Sequence, residues 1–262
     1  MMLKTFKRVI ALLLVMLMLF LGVACATRQS PSDDLEFTLS EDRLSYTVTG
    51  VGKCTDKRIV IPEKHNGLPV VAIGRNAFLN CENIVSVTLS KNVKTIDACA
   101  FWGCTSLSSI EICAGLEYIG MYAFNGCIPL SKIDLRDSVT YIGDSAFNGC
   151  IGLLEIANMG AVEEICDSAF RGCTSLSSIV IPDGVEKIGW ATFAGCSSLA
   201  SITLPEGLES IGNSAFYECK SLKTINFGGG IDEWNELEKG KYWSHKTDKF
   251  TVFCSDGEID TN

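Results

Sequence analysis

Histidine is scarce in this chain of 262 residues, which contains only His65 and His245. The two flank a block of repeats, and strand-to-strand steps of about 4.8 Å would place them roughly 30 Å apart. Nucleophilic catalysis needs groups within hydrogen-bond reach, so they cannot share a site, and a cysteine–histidine pair at either end is the remaining catalytic alternative. Neither G-x-x-x-x-G-K-[ST] nor G-x-S-x-G occurs. The sequence therefore predicts no enzyme and no cofactor.

Positive charge is also in short supply, with 22 Lys and Arg against 31 Asp and Glu and a net charge of −9. Three of the cations, Lys4, Lys7 and Arg8, lie in the first 24 residues, which contain no acid. Without that segment 19 basic residues face 31 acidic ones, a net charge of −12. A surface this negative repels phosphate backbones, so we expect no nucleic-acid partner. Any partner is predicted to be neutral or basic.

The chain lacks an apolar run long enough to span a bilayer. Residues 9–23 form an apolar stretch of 15, short of the roughly 20 that a spanning helix needs. It follows a basic segment and precedes the small residues Ala24 and Ala26, the pattern of a signal peptide over residues 1–24. A retained membrane anchor is the alternative. Adjacent carboxylates such as Glu163 and Glu164 are predicted to be solvated surface charges.

The end of the apolar run offers two processing sites. Leu21-Gly22-Val23-Ala24-Cys25 resembles a bacterial lipoprotein box, in which Cys25 becomes the lipid attachment site, although Gly22 stands where that motif usually has Leu. Ala24-Cys25-Ala26 is also an ordinary cleavage signal. Lipidation would make residues 25–35 a polar tether and leave a lipid anchor as the only contact with the membrane. The predicted location is then the bacterial cell surface or outer envelope.

A repeat of 23 residues organises the rest of the chain. Phenylalanine recurs at this interval seven times, and cysteine follows three residues later each time. The consensus is L-x-x-I-x-[IL]-x-x-x-[VL]-x-x-I-G-x-x-A-F-x-x-C. The phenylalanines are Phe78, Phe101, Phe124, Phe147, Phe170, Phe193 and Phe216, and the cysteines are Cys81, Cys104, Cys127, Cys150, Cys173, Cys196 and Cys219.

Each part of the repeat predicts an element. The segment L-x-x-I-x-[IL] alternates with period two and predicts a short strand. The segment [VL]-x-x-I-G suits a second extended piece closed by a turn. The remaining x-x-A-F-x-x-C has room for only a 3₁₀ or one-turn helix. No repeat can bury its apolar side chains alone, so we expect a right-handed solenoid of stacked repeats with short parallel strands.

Ile-Gly-x-x-Ala-Phe-x-x-Cys-x-x-Leu resembles the BspA-type, or Treponema-type, leucine-rich repeat over about residues 70–254. The departures are Asn158 for Ile or Leu, Cys166 for Gly and Thr192 for Ala. The resemblance implies a leucine-rich-repeat solenoid and a bacterial surface or secreted protein linked to adhesion. We assign residues 36–69 to an N-terminal cap and the lead-in to the first repeat, 70–227 to the repeats and 228–262 to a C-terminal cap.

Thirteen cysteines in an exported chain would ordinarily suggest disulfides. Seven of them form one column with parallel Cβ directions, which are poor for bridging, and buried cysteine packs as a small hydrophobe. We expect a ladder of buried thiols, with some pairing as the alternative. Metal-ligand spacing is missing. The states of Cys54, Cys99, Cys113, Cys166 and Cys254 stay open.

Candidate binding residues come from the outward positions of the first strand. The middle repeats place charges of both signs there, and two tyrosines occupy equivalent places on the second extended piece. These charges could bind a ligand or pair across strands to aid register. The tyrosines could form a platform or simply stack. The residues are Glu111, Lys132, Asp134, Arg136 and Glu155, with Tyr118 and Tyr141.

Two classes of function remain. The first is a monomeric surface protein that binds an unidentified protein or glycan in the manner of an adhesin. The second is a structural envelope protein whose repeats only act as a spacer.

Overall fold

The computed structural model describes residues 31–261. The predicted signal peptide, Cys25 and the first part of the predicted tether lie outside these residues. Within them, no helix combines the length and the apolar character that crossing a membrane would require.

The described chain consists of short strands and one helix. In chain order they are β1 (Glu36–Leu39), β2 (Tyr46–Gly50), β3 (Arg58–Val60), β4 (Lys64–His65), β5 (Leu68–Ile73), β6 (Ser86–Thr88), β7 (Thr95–Ile96), β8 (Ser109–Glu111), β9 (Tyr118–Ile119), β10 (Lys132–Asp134), β11 (Tyr141–Ile142), β12 (Glu155–Ala157), β13 (Glu164–Ile165), β14 (Ser178–Val180), β15 (Lys187–Ile188), β16 (Ser201–Leu204), β17 (Ser210–Ile211), β18 (Thr224–Phe227), α1 (Ile231–Glu236), β19 (Glu238–Lys239), β20 (Thr251–Cys254) and β21 (Gly257–Asp260).

Two ladders of parallel strands run along the solenoid. The first ladder contains the strands of the L-x-x-I-x-[IL] segment in three hydrogen-bonded groups: β3-β6-β8, β10-β12 and β14-β16-β18-β20-β21. The second ladder contains the strands of the Ile-Gly segment in two groups: β5-β7-β9-β11-β13, preceded by β1 and β2, and β15-β17-β19. Equivalent residues of successive repeats pair in register, as Ile202 does with Ile225. The predicted solenoid of stacked repeats with short parallel strands is confirmed.

The core is a stack of phenylalanine rings. All seven repeat phenylalanines are completely buried. Consecutive rings lie nearly parallel, with centroids 5.1 to 5.6 Å apart. Each ring therefore covers the face of the next, so that each repeat buries the apolar surface that a single repeat would leave exposed.

At the Ile-Gly pair the backbones of successive repeats approach closely. A Cβ atom at Gly120 would lie 2.7 Å from the backbone nitrogen of Ala98 in the preceding repeat. A Cβ atom at Gly143 would lie 2.7 Å from the backbone nitrogen of Met121. Asp97 and Cys166 occupy the same position in other repeats, and their N–H groups still donate to the preceding repeat at 2.9 Å.

The Ala-Phe segment differs from the predicted helical turn. Two residues before each phenylalanine the chain is left-handed, with φ between 52° and 58°, which a right-handed helix cannot contain. Alternate N–H groups consequently point in different directions. The N–H of Cys150 donates to the carbonyl of Phe147 within its own turn, and the N–H of Phe147 donates to the carbonyl of Ala169 in the next repeat. We call these inter-repeat bonds the turn ladder.

The repeat cysteines are thiols, and six of the seven are completely buried. The thiol of Cys173 donates to the carbonyl oxygen of Phe147 at 3.2 Å, and Cys104, Cys127, Cys150, Cys196 and Cys219 repeat this bond. Burial raises the pKa of Cys104 to about 12. The column therefore links successive turns as protonated thiols, as predicted.

Both ends of the solenoid are covered. At the N-terminal edge, β1 and β2 form an antiparallel hairpin within the segment assigned to the N-terminal cap. Ser32, within the predicted tether, is buried, and its hydroxyl accepts a bond from the N–H of Val60 at the edge of β3. At the other end, the six-residue α1 buries Trp234, and β20 and β21 form a closing hairpin. The helix α1 ends at Glu236, because β19 joins the second ladder at Glu238.

Candidate ligand-binding surface

The charged residues singled out in the sequence lie together on the outward face of the first ladder. The strand pattern explains this: Ile133 is buried at the centre of β10, so Lys132 and Asp134 point away from the core. The same alternation exposes Glu111 on β8. We call Glu111, Lys132, Asp134, Arg136 and Glu155 the charged cluster.

Most of the charged cluster is paired internally. The Lys132 ammonium lies 2.8 Å from the carboxylate of Glu155, and the Arg136 guanidinium lies 3.4 Å from that of Asp134. The Asn158 amide also donates to Asp134 at 2.6 Å. Lys132 and Arg136, the two cations among the candidate binding residues, therefore already have carboxylate partners. A ligand carboxylate would have to displace them, although exposed pairs of this kind contribute only about 0–1 kcal/mol each.

The two tyrosines stack on the second ladder, away from the face that carries the charges. The rings of Tyr118 and Tyr141 lie 4.7 Å apart at 5°, as adjacent β9 and β11 require. The Tyr141 hydroxyl and the Cys166 sulfur are hydrogen-bonded at 3.1 Å. The pKa of Tyr141 is raised, because the hydroxyl holds its proton in this bond and because burial disfavours the phenolate. The structure thus places the charged cluster on the first ladder and the two tyrosines on the second ladder.

A groove of about 740 Å³ opens beside Tyr141 on the second ladder. Its lining is rich in carboxylates, and we call it the acidic groove. Glu163 and Glu164, predicted as solvated charges, are both exposed here. The Lys187 ammonium forms an ion pair with the Glu209 carboxylate, at a distance of 3.7 Å. The carboxylates are Asp144, Glu163, Glu164, Asp167 and Glu186.

A second groove, of about 520 Å³, lies on the first ladder between β12 and β14. We call it the strand-face groove. Apolar and polar side chains contribute to its lining in similar measure, and sequence reasoning did not predict it. Leu154 and Val180 stand exposed on its sides. The sequence signal that could have indicated the groove was Asn158, a polar residue at a core position of the repeat.

The histidines lie in the two caps. His65 stacks on Phe37 in the N-terminal cap, with ring centroids 4.0 Å apart. His245 contacts Tyr217 and Tyr242 at the opposite end. Within residues 31–261, no group of three or more His, Cys, Asp or Glu side chains has an arrangement that could hold a metal ion.

These features define a class of protein: a leucine-rich-repeat solenoid with an invariant core and a variable outward face. Such folds are typically not enzymes. The sequence matches the profile of the BspA type leucine rich repeat region in six copies, over residues 71–189 and 163–238. The chain therefore belongs to the BspA-type leucine-rich-repeat family, and the resemblance seen in the motif is confirmed.

Solved structures support the same fold. The chain is similar to the leucine-rich-repeat protein TpLRR of T. pallidum, with a TM-score of 0.58 and 26% identity over 82% of this chain and 99% of that one. A leucine-rich-repeat protein from Bacteroides ovatus aligns with a TM-score of 0.52 and 23% identity, over 85% of this chain and 70% of that one. No curated protein matches the sequence.

Proposed function

We propose that this chain is a cell-surface binding protein that recognises another protein or a glycan through the outward face of the first ladder. The observation that carries the proposal is the contrast between core and surface. The buried positions repeat almost unchanged. The outward position after the central buried residue of each strand reads Thr88, Glu111, Asp134, Ala157, Val180, Thr203 and Asn226.

Fold and charge support this proposal. Leucine-rich-repeat proteins generally bind proteins, and stacked repeats create extended binding surfaces. The net charge of −9 disfavours nucleic acid. An adhesin-like role, monomeric and held at the bacterial surface through a lipid on Cys25, extends the proposal. No reaction and no cofactor are part of it.

One observation favours a structural spacer as the second candidate. The ion pairs Lys132–Glu155 and Lys94–Glu117 each join consecutive repeats. Pairs of this kind stabilise strand register without any ligand.

The two candidates are separated by binding experiments on the full chain in lipid nanodiscs, against extracellular-matrix proteins and a glycan array. The double variant Lys132→Ala with Arg136→Ala should weaken binding of a captured ligand more than about tenfold, or about 1.4 kcal/mol. The melting temperature should stay the same. Thr203→Ala with Asn226→Ala is the matched control on the same face. Equal loss from the control pair would contradict a site at the charged cluster, and absence of any saturable ligand would favour the spacer.

A further inference from the structure

The strand-face groove lies at an interruption of both strand ladders. Strands β12 and β14 are not hydrogen-bonded to each other, and neither are β13 and β15. Within residues 31–261 this is the one junction between repeats where both ladders stop. The turn ladder continues across it: the N–H of Phe170 donates to the carbonyl of Thr192, and the Cys196 thiol donates to Phe170 at 3.1 Å. The repeats thus stay attached at their turns while their strand sides separate.

The repeat before the interruption departs twice from the repeat pattern. Asn158 replaces a core Ile or Leu, is left-handed with φ 55°, and turns its amide outward to Asp134. Met159 is buried and fills the core instead. In the second ladder, Cys166 stands where most repeats have glycine, and its N–H still donates to the carbonyl of Ile142 in the preceding repeat at 2.9 Å. Both departures lie in the repeat on the N-terminal side of the interruption.

The groove presents apolar side chains that the core does not use. Leu154 is 59% exposed and Val180 is 65% exposed. In the two neighbouring repeats the position of Leu154 holds Ser131 and Ser177. Two large apolar side chains are therefore exposed in one concave site, as ligand sites usually provide.

The rim of the groove is acidic. Glu155 and Asp183 are exposed at its edge. Glu155 pairs with Lys132, whereas within the described part of the chain no cation forms an ion pair with Asp183. An apolar side chain flanked by positive charge complements this surface.

We propose that the strand-face groove binds an extended segment of a partner protein that places one large apolar side chain between Leu154 and Val180 and a neighbouring Lys or Arg at Asp183. This proposal rests on the proposed function and specifies the partner's chemistry. It moves the centre of recognition from the charged cluster to the adjoining groove. A leucine-rich-repeat face that binds only through its charges would not need the apolar walls.

The test uses fluorescein-labelled Lys-Val-Phe-Val-Lys and fluorescence polarisation with the full chain in lipid nanodiscs, empty nanodiscs being subtracted. We expect saturable binding below about 1 mM. Lys-Val-Ser-Val-Lys and Glu-Val-Phe-Val-Glu should bind at least about tenfold more weakly. Absence of binding by the first peptide, or equal binding of all three, would overturn the proposal.

Variants locate the site. Leu154→Ser with Val180→Ser should lower the affinity at least about tenfold, and Asp183→Asn about threefold at low salt. Val85→Ser is the matched control, because Val85 occupies the position of Leu154 in an earlier repeat and is 36% exposed. This variant should bind the peptide with unchanged affinity. Unchanged melting temperatures would confirm that the variants fold.

The outcomes separate this proposal from the proposed function. Peptide affinity that is unaffected by the groove variants overturns the groove as the site. If the nanodisc-bound chain nevertheless captures a matrix protein or glycan and loses it on Lys132→Ala with Arg136→Ala, the proposed function stands and the groove proposal fails. If neither peptide nor array ligand binds, both fail.

Discussion

Phe147→Ala is the sharpest test of how the repeats hold together. Phe147 is completely buried and lies between two parallel rings, with centroids 5.2 Å from Phe124 and 5.5 Å from Phe170. Truncation removes the ring from the core and leaves a cavity with aromatic walls on both sides. It leaves the carbonyl of Phe147, the acceptor for the thiol of Cys173, in place.

The expected cost follows from burial and stacking. Replacing a fully buried phenylalanine by alanine costs about 3–5 kcal/mol, and each aromatic pair contributes about 0.5–1.5 kcal/mol within that range. Since Phe147 loses two ring partners, we expect about 4–5 kcal/mol. Phe78 stacks on only one repeat phenylalanine, Phe101, so Phe78→Ala should cost about 1 kcal/mol less.

Urea unfolding followed by far-UV circular dichroism measures these costs on the chain without residues 1–25. A lower midpoint at unchanged slope reports lost stability, and a changed slope would show that the solenoid no longer unfolds as one unit. Phe147→Leu keeps most of the volume and should cost less than about 2 kcal/mol. It gives a measurable value even if the alanine variant does not fold.

A double-mutant cycle isolates the stacking. Phe124→Ala with Phe147→Ala should deviate from additivity by about 0.5–1.5 kcal/mol, because the two rings are in contact. Phe78→Ala with Phe147→Ala should be additive within about 0.5 kcal/mol. A cost below about 2 kcal/mol for Phe147→Ala, or equal coupling in the two cycles, would refute the stacked-ring account of the core.

Three further predictions concern individual residues or residue pairs. Burial raises the pKa of Cys104 to about 12, so the stability that its protonated thiol contributes is full below about pH 9 and is lost as the pH rises toward 12. The urea midpoint should therefore fall less steeply between pH 7 and 11 in Cys104→Ser than in the unchanged chain, and parallel curves would contradict this. Lys132→Ala with Glu155→Ala should show a coupling below about 1 kcal/mol that fades in 1 M salt, and a larger, salt-independent value would be inconsistent with an exposed pair. Cys25→Ser should release the chain into the medium or leave unprocessed precursor, whereas unchanged membrane retention would count against lipid anchoring.

The repeat itself was predictable from the sequence, because a period of 23 residues is visible without any tertiary information. The columns of Phe147 and Cys150 indicated burial and stacking, and both side chains are completely buried. The helical turn was wrong for a physical reason. Left-handed residues such as Ser145 and Ala191 are not types that signal positive φ, and neighbouring repeats impose that conformation through the turn ladder.

The candidate surface was only partly predictable. Alternation about Ile133 correctly indicated that Lys132 and Asp134 point outward. Whether those charges are available to a ligand depends on side chains one repeat away, and Lys132 is paired with Glu155 at 2.8 Å. The strand-face groove could not be predicted, since a single polar residue at 158 does not say which way the backbone will adjust.

Composition and periodicity alone determined the class of fold, the identity of the core residues and the acidic character of the surface, because these depend only on which residues recur and how often. Tertiary structure decided the rest. It placed the tyrosines and the charges on different ladders, and it interrupted both strand ladders after the repeat that contains Asn158 and Cys166. The physical reason is that a repeat shares each of its faces with a neighbour, so the consequence of a substitution is set by the backbone that packs against it.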